Sequence, residues 1–260
     1  MQTIPLYQLD AFTDRPFGGN PAAVCPLDEW LPDDVMQSIA LENNLSETAF
    51  YVPEGDGFRL RWFTPEIEVD LCGHATLATG ALILEKLDPA REKVSFETRS
   101  GTLGVRRNGD MLVMDFPALP ASDVPVPDGL EEALGATPVR FLRAIKNMAV
   151  FEKEADVLAV RPDFDFIKHM DGMGLIITAP GDSSDCASRY FAPHAGINED
   201  PVTGSAHCTI VPYWADVLGK DTIHARQVSA RSGDLYCRMS GARVEIGGKA
   251  RLVVEGTFRF

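Results

Sequence analysis

The amino-acid sequence predicts an α+β fold of two pseudo-symmetric lobes, each a mixed, curled β-sheet wrapped around one central helix. Two observations predict this architecture. Three short signatures occur twice in the same order, and each half of the chain contains one helical segment that is apolar on almost every side. A helix without a polar face must be buried, so the strands of each half are expected to surround it.

The internal repeat is the stronger of the two observations. Each signature recurs about 130 residues further along, roughly half the length of the chain. Three matches in order at a nearly constant spacing are hard to obtain by chance, and they indicate two structurally equivalent lobes. The matched pairs are Arg61–Pro65 with Arg189–Pro193, Gly73–Ala75 with Gly204–Ala206, and Arg99–Leu103 with Arg231–Leu235.

In the first lobe, segments with period-two alternation predict strands around two helices. The first helix is predicted over Pro32–Glu42, where an early proline and the acidic Asp33 and Asp34 favour a helix N-terminus. The central helix is predicted over Ala75–Leu87. The predicted strands are Leu6–Phe12, Thr48–Val52, Phe58–Phe63, Lys93–Thr98, Gly101–Arg106 and Met111–Phe116.

In the second lobe, the equivalent central helix is predicted over Ala206–Leu218 and ends at Gly219, a residue type favoured at helix C-termini. The Gly247-Gly248 pair predicts a hairpin turn between the last strands. The predicted closing strands are Gln227–Ala230, Leu235–Ser240, Ala242–Ile246 and Ala250–Phe258.

The boundary between the lobes is predicted in the proline-rich stretch Phe116–Asp128, because closely spaced prolines cannot pair in a sheet. We therefore expect an N-terminal lobe over residues 1–117 and a C-terminal lobe over residues 118–260. In this division the last strand can still pair with the sheet of the N-terminal lobe. The active site is expected in the cleft between the lobes.

Composition narrows the class of protein. A chain of 260 residues with 45% hydrophobic residues can bury a sizeable core. Its formal net charge of -14 argues against nucleic-acid binding. The first ten residues lack a signal peptide pattern, and no apolar run reaches ~18 residues, so we expect a cytoplasmic protein without a membrane span.

The cysteines do not predict a disulfide framework, since they are odd in number and scattered. No CxxC pair and no HExxH run is present, so no metal site is expected. The five cysteines are Cys25, Cys72, Cys186, Cys208 and Cys237.

Each central helix begins at a glycine, Gly73 in one lobe and Gly204 in the other. Helix N-termini expose backbone N–H groups and carry partial positive charge, and glycine lets an anion approach the backbone closely. A single helix start of this kind is ordinary. The duplicated pair predicts a clamp for a substrate carboxylate.

Acid–base candidates stand next to this clamp. His74 follows Gly73 directly, Asp200 lies four residues before Gly204, and Glu47 stands at the entry to an apolar strand. A semi-buried carboxylate has a raised pKa, which suits proton transfer near neutrality. Taken singly, each residue also has an ordinary explanation: Glu47 as a solvent-facing side chain, His74 as a core histidine and Asp200 as a helix cap.

Four sequence blocks together resemble the signature blocks of the phenazine-biosynthesis isomerase-like (PhzF-like) family, which is related to diaminopimelate epimerase. The match covers most of the chain in the right order. The resemblance implies a diaminopimelate epimerase-like fold of two lobes, which agrees with the repeat. The blocks are Phe12–Ala22, Leu45–Thr48, Asp70–Thr76 and Glu199–Ala206.

The resemblance also implies a function. It implies an isomerase without a metal or organic cofactor, commonly a homodimer, that moves a proton on a small carboxylic acid, as in phenazine biosynthesis. Glu47 would donate and accept the proton. His74 and Asp200 would line the pocket, the backbone around Gly73, Gly204 and Ser205 would hold the carboxylate, and Asn20 would form a wall of the cleft.

Two alternatives stay open. A two-thiol racemase or epimerase would use Cys72, but Pro201 and Val202 stand near the place of its partner thiol, and Cys208 lies about one turn inside the helix. A non-catalytic binding protein on the same scaffold is the second alternative. A Cys–His hydrolase built on Cys72 and His74 lacks an evident third member.

Overall fold

The computed structural model describes residues 1–260. Six α-helices are present, and the second continues directly into a π-helical segment, Leu82–Leu87. The helices are α1 Asp33–Asn43, α2 Gly73–Ala81, α3 Leu130–Leu134, α4 Glu154–Ala159, α5 Phe164–His169 and α6 Gly204–Leu218. None of them is both long enough and apolar enough to cross a lipid bilayer.

Eighteen strands account for most of the remaining chain. The first nine are β1 Thr3–Ala11, β2 Asn20–Pro26, β3 Glu47–Glu54, β4 Gly57–Phe63, β5 Glu68–Val69, β6 Lys93–Thr98, β7 Gly101–Asn108, β8 Met111–Pro117 and β9 Ser122–Asp123. The others are β10 Arg140–Arg143, β11 Asn147–Val150, β12 Leu175–Pro180, β13 Cys186–Ala192, β14 Ile197–Asp200, β15 Thr222–Gln227, β16 Gly233–Ser240, β17 Arg243–Gly248 and β18 Ala250–Arg259.

The chain forms two compact units. Unit 1 comprises Met1–Asp115 together with Gly247–Phe260, and unit 2 comprises Phe116–Ile246. The C-terminal strand β18 belongs to unit 1, where it pairs antiparallel with β1 along its whole length. The mixture of sheet and helix within each unit confirms the predicted α+β class.

The sheet of unit 1 is mixed. From β1 the order runs through β2, β3, β4 and β6 to β7, and the pairs β2–β3 and β4–β6 are parallel while the others are antiparallel. A parallel pair needs a crossover connection. Helix α1 lies in the first crossover and α2 in the second.

The sheet of unit 2 repeats this pattern. From β10 the order runs through β11, β12, β13 and β15 to β16, and the pairs β11–β12 and β13–β15 are parallel. The crossovers contain α4 and α5 in the first case and α6 in the second. The duplication predicted from three short signatures therefore extends to the pairing direction of these strands.

Helix α2 is buried on every side, as its apolar sequence predicts. It contacts strands on several sides, among them β1, β2, β3 and β7. Close approach to β7 requires Gly80, because a Cβ there would lie 2.6 Å from the side chain of Val105. The helix is thus the centre of the unit 1 core.

Helix α6 holds the same position in unit 2 and packs against β15 and β16. Its apolar face is anchored by Trp214, whose indole N–H donates to the hydroxyl of Thr178 at 2.9 Å. The helix ends at Gly219, which adopts a left-handed φ of 63° and caps the last turn.

Candidate active site

The loop before β2 is held in an unusual backbone conformation. Phe17 has a φ of 68°, which is costly for a bulky side chain, and its N–H donates to the buried Asp10 carboxylate at 2.8 Å. Gly19 follows with a φ of 58°, where a Cβ would overlap the carbonyl oxygen of Ala11. These constraints fix the position of Asn20, the fully buried first residue of β2.

Glu47 is the first residue of β3 and lies opposite Ala22 in the parallel ladder with β2. The following residues of β3 are buried, so the strand enters the core immediately after the carboxylate. Its side chain is only 12% exposed. The carboxylate therefore sits at the edge of the core rather than in bulk water.

The start of α2 brings the remaining residues of this site together. Cys72 is the N-cap residue with an extended backbone, Gly73 is the first helical residue, and His74 follows it with only 4% exposure. The hydroxyl of Thr76 donates to the carbonyl of Cys72 at 2.6 Å, which holds the first turn in place.

His74 connects three side chains. Its Nδ1 lies 3.1 Å from the amide nitrogen of Asn20 and 3.5 Å from the sulfur of Cys72, and its Nε2 lies 3.2 Å from Oε2 of Glu47. An amide nitrogen only donates, so with the Asn20 amide in this orientation Nδ1 is the acceptor. The proton of a neutral ring is then on Nε2, the ring nitrogen that lies nearer to Glu47.

The electrostatics agree with a neutral ring. Burial lowers the pKa of His74 to about 3, and a hydrogen bond to the backbone of Pro21 opposes this only in part. At neutral pH the imidazole is therefore uncharged.

The same residues include three side chains with metal-ligating atoms. Atoms of Glu47, Cys72 and His74 lie within 4.8 Å of one another. The sulfur and the carboxylate approach opposite nitrogens of the imidazole, whereas one ion would be bound by a single ring nitrogen. The arrangement therefore does not fit the coordination of a single metal ion.

The corresponding region of unit 2 lies between β14 and α6. Asp200 ends β14, Thr203 is the N-cap residue of α6, and Gly204 and Ser205 open the helix. The Thr203 hydroxyl donates to Oδ2 of Asp200 at 2.5 Å. The helix start thus presents backbone N–H groups next to a carboxylate that is held by a neighbouring hydroxyl.

Gln227 fixes this segment from β15 and is fully buried. Its Oε1 accepts from the backbone N–H of Thr203 at 2.8 Å, and its Nε2 donates to the carbonyl of Asp200 at 2.7 Å. A longer contact of 3.3 Å joins Nε2 to the Thr203 hydroxyl. One side chain therefore ties both ends of the turn that leads into α6.

His207 is the counterpart of Thr76 in the repeat. Its Nδ1 lies 2.8 Å from the carbonyl of Thr203, just as the Thr76 hydroxyl bonds the carbonyl of Cys72. In both units a side chain in the first turn thus satisfies the carbonyl of the N-cap residue. Burial lowers the pKa of His207 to about 4, so this ring is also neutral.

In unit 1 the Arg-x-Phe part of the first repeated signature forms an anchor. Arg61 makes a bidentate pair with Glu68, with N–O distances of 2.7 and 2.8 Å, and its guanidinium lies 5.1 Å from the ring centroid of Phe63. Glu68 begins the segment that leads to Cys72 and α2. The pair therefore positions the loop before the helix.

The equivalent residues of unit 2 form the same anchor. Arg189 pairs with both oxygens of Glu199 at 2.8 and 2.9 Å and lies 5.0 Å from the ring centroid of Phe191. Glu199 directly precedes Asp200. The repeated signature is thus explained by a bidentate ion pair stacked on an aromatic ring.

The structure places the seven candidate residues in two groups. One group surrounds the start of α2 and the other the start of α6. Sequence reasoning missed the positioning roles of Thr203 and Gln227. The Arg-x-Phe spacing repeated in the two halves was a usable signal for the arginine anchors, whereas a lone glutamine gives none. The groups are Asn20, Glu47, Gly73 and His74 in unit 1, and Asp200, Gly204 and Ser205 in unit 2.

The fold is similar to that of solved structures described as epimerases. A solved structure described as a predicted epimerase of Pseudomonas aeruginosa matches with a TM-score of 0.75 and 21% identity, covering 98% of this chain and 99% of that one. At this identity the likeness concerns the fold alone.

The chain belongs to the family of phenazine biosynthesis-like proteins (PhzC-PhzF), whose family model matches residues 9–256. It is 52% identical over 254 residues to an uncharacterized isomerase of Pseudomonas aeruginosa, covering 98% of both chains. The crystal structure of a PhzF-family phenazine biosynthesis protein from Enterococcus faecalis matches with a TM-score of 0.97 and 45% identity over 100% of both chains.

Proposed function

We propose that this protein is a cofactor-independent isomerase that moves a proton on a small carboxylic acid by acid–base catalysis from Glu47. The isomerase class is supported by the names of its relatives, among them proteins 52%, 51% and 43% identical over nearly the whole chain. The proposal includes a cytoplasmic location and the homodimer that the family resemblance implies. Light scattering of the purified protein tests the dimer.

The single observation that carries the proposal is the contact between Glu47 and His74. A carboxylate that is 12% exposed lies 3.2 Å from Nε2 of a neutral imidazole, and that ring is fixed in turn by Asn20 and Cys72. A carboxylate held at the edge of the core in this way is positioned to act as a general base toward a ligand.

In the proposed reaction, Glu47 removes a proton from a carbon next to an unsaturated or carbonyl-bearing carbon. The electron pair of that C–H bond shifts into the neighbouring π system. The protonated Glu47 then returns the proton to another carbon, so the reaction is redox-neutral. The N–H groups at the starts of α2 and α6 each offer hydrogen bonds to a carboxylate or oxyanion.

The experiment is a solvent-exchange screen. The protein is incubated in D2O with a panel of small aromatic and aliphatic carboxylic acids, and deuterium incorporation is followed by NMR. We expect exchange with at least one acid and a rate about 10²–10⁴-fold lower in Glu47→Gln. Glu54→Gln is the matched control, because Glu54 ends the same strand and is 45% exposed. Near-wild-type exchange by Glu47→Gln refutes the assignment.

A two-thiol mechanism fits the residues less well. The residue that corresponds to Cys72 in unit 2 is the N-cap Thr203, whose hydroxyl is bound to Asp200. Cys208 lies inside α6, and burial raises its pKa to about 11. A thiol on one side and a hydroxyl on the other do not form the symmetric pair that such chemistry requires.

A further inference from the structure

Lys146 is a buried lysine that the proposed reaction does not yet use. It lies in the short connection between β10 and β11 and is only 9% exposed. The contact that the structure gives its ammonium is the ring of Tyr190, with Nζ 5.7 Å from the centroid. A cation–aromatic contact replaces only a small part of the hydration that an ammonium loses on burial.

Other lysines of this acidic chain form ion pairs with carboxylates at the surface, where an ion pair contributes little to stability. Among these pairs are Lys86 with Glu255 at 2.9 Å, Lys220 with Asp185 at 2.6 Å and Lys249 with Asp110 at 2.7 Å. In a protein of formal net charge -14, the buried ammonium instead faces a ring and has no carboxylate at ion-pair distance. A buried charge without a paired anion is strongly unfavourable, which points to an anion supplied by a ligand.

The surroundings of Lys146 place this cation near the start of α6. Tyr190 lies directly opposite Asp200 in the antiparallel pairing of β13 with β14. The phenol of Tyr190 donates to the carbonyl of Met173 at 2.5 Å, so the ring beneath the ammonium is held in place. Burial lowers the pKa of Lys146, and the nearby Cys208 and Asp200 act in the opposite direction.

We propose that Lys146 is an anion-binding residue of unit 2, whose ammonium binds a carboxylate oxygen of the substrate beside Asp200 and the first turn of α6. This inference rests on the carboxylic-acid substrate of the proposed function and supplies the cation that the backbone N–H groups lack. The inference also accounts for the binding of an acid by a chain of formal net charge -14, because one buried side chain, Lys146, supplies the positive charge.

The test measures binding rather than turnover. Acetate, malonate and benzoate are titrated into the full-length protein, and chemical-shift changes of the Ser205 amide give the dissociation constants, with malonamide as the uncharged control. We expect Lys146→Met to weaken carboxylate binding roughly 10- to 100-fold, because a charge-assisted hydrogen bond is lost. Lys146→Arg should retain most of the affinity. Lys168→Met, at an exposed lysine of α5, should match the wild type.

Thermal denaturation of the same variants distinguishes a binding role from a structural one. Removing a buried charge that lacks an anion should leave the Tm of Lys146→Met unchanged or higher. A lower Tm, unchanged affinity in Lys146→Met, or no response of the wild type to any of the three acids would overturn the inference.

The two proposals fail separately. If Lys146→Met loses affinity while Glu47→Gln keeps full exchange activity, the anion-binding role stands and the proposed catalytic function falls. If Lys146→Met binds like the wild type while Glu47→Gln loses activity, the reverse holds.

Discussion

Gln227→Ala tests whether one buried side chain holds the start of α6. The substitution leaves the backbone N–H of Thr203 and the carbonyl of Asp200 without their 2.8 and 2.7 Å partners in a fully buried position. Each buried group that loses its partner costs about 1–3 kcal/mol. We therefore expect a loss of about 3 kcal/mol, which lowers the Tm of a chain of this size by roughly 6–12 °C.

The assay is thermal denaturation followed by circular dichroism, with Gln37→Ala as the matched control. Gln37 donates a single hydrogen bond, at 2.8 Å to the carbonyl of Thr64, and is only partly buried. We expect this control to cost about 1 kcal/mol. Equal Tm values for the two variants would show that Gln227 does not anchor the helix start, and the reasoning would be wrong.

Three further outcomes follow from the structure. Because burial lowers the pKa of His207 to about 4 from an unfolded value near 6.5, this ring destabilises the fold progressively as the pH falls from 6.5 toward 4. His207→Gln should therefore reduce the slope of unfolding free energy between pH 5 and 6.5 by about 1 kcal/mol per pH unit, and an unchanged slope contradicts this. In ¹⁵N NMR at pH 6, His74 should show a neutral ring protonated on Nε2, and an imidazolium signal would be inconsistent with the structure. Arg189→Lys should lower the free energy of unfolding in urea by about 1–3 kcal/mol, because the bidentate pair with Glu199 is lost. Arg59→Lys is the control and should have almost no effect, because Arg59 forms an exposed pair with Glu54 at 3.6 Å. Equal effects of the two substitutions would contradict the anchoring role.

The architecture was predictable because its main signals are local. The central helices are apolar on nearly every side, and the predicted Ala75–Leu87 corresponds to α2 with its π-helical continuation. The repeat was visible because the Arg61 and Arg189 anchors each place a phenylalanine two residues after the arginine. The structure explains these patterns by burial and by ion-pair geometry.

The prediction of a hairpin turn at Gly247-Gly248 was wrong. Both glycines belong to β17, and a Cβ at Gly248 would lie 2.5 Å from the ring of Phe12. The glycine is thus explained by the close approach of an aromatic side chain from a distant part of the sequence. A local turn pattern cannot distinguish this from a true turn.

The predicted linker also differs from the structure. β8 extends to Pro117, and Ser122–Asp123 forms β9, which pairs with β10. The prolines shorten the strands in this stretch without excluding pairing. A two-residue strand depends on its partner, which the sequence pattern does not identify.

Within the candidate site, the sequence indicated residue types but not their partners. The position of Glu47 at the entry to an apolar strand indicated its burial, which the structure shows at 12% exposure. The contacts of His74 with Asn20, and of Gln227 with the α6 start, join segments far apart in the chain. Only tertiary structure brings such groups together.

The most direct test of the central claim compares Glu47→Gln with Cys72→Ser in the deuterium-exchange assay, on the acid for which the wild type is most active. A mechanism with one shuttling carboxylate predicts a rate about 10²–10⁴-fold lower for Glu47→Gln and a rate close to wild type for Cys72→Ser. The opposite order, with exchange abolished by Cys72→Ser and retained by Glu47→Gln, would contradict it and establish thiol chemistry.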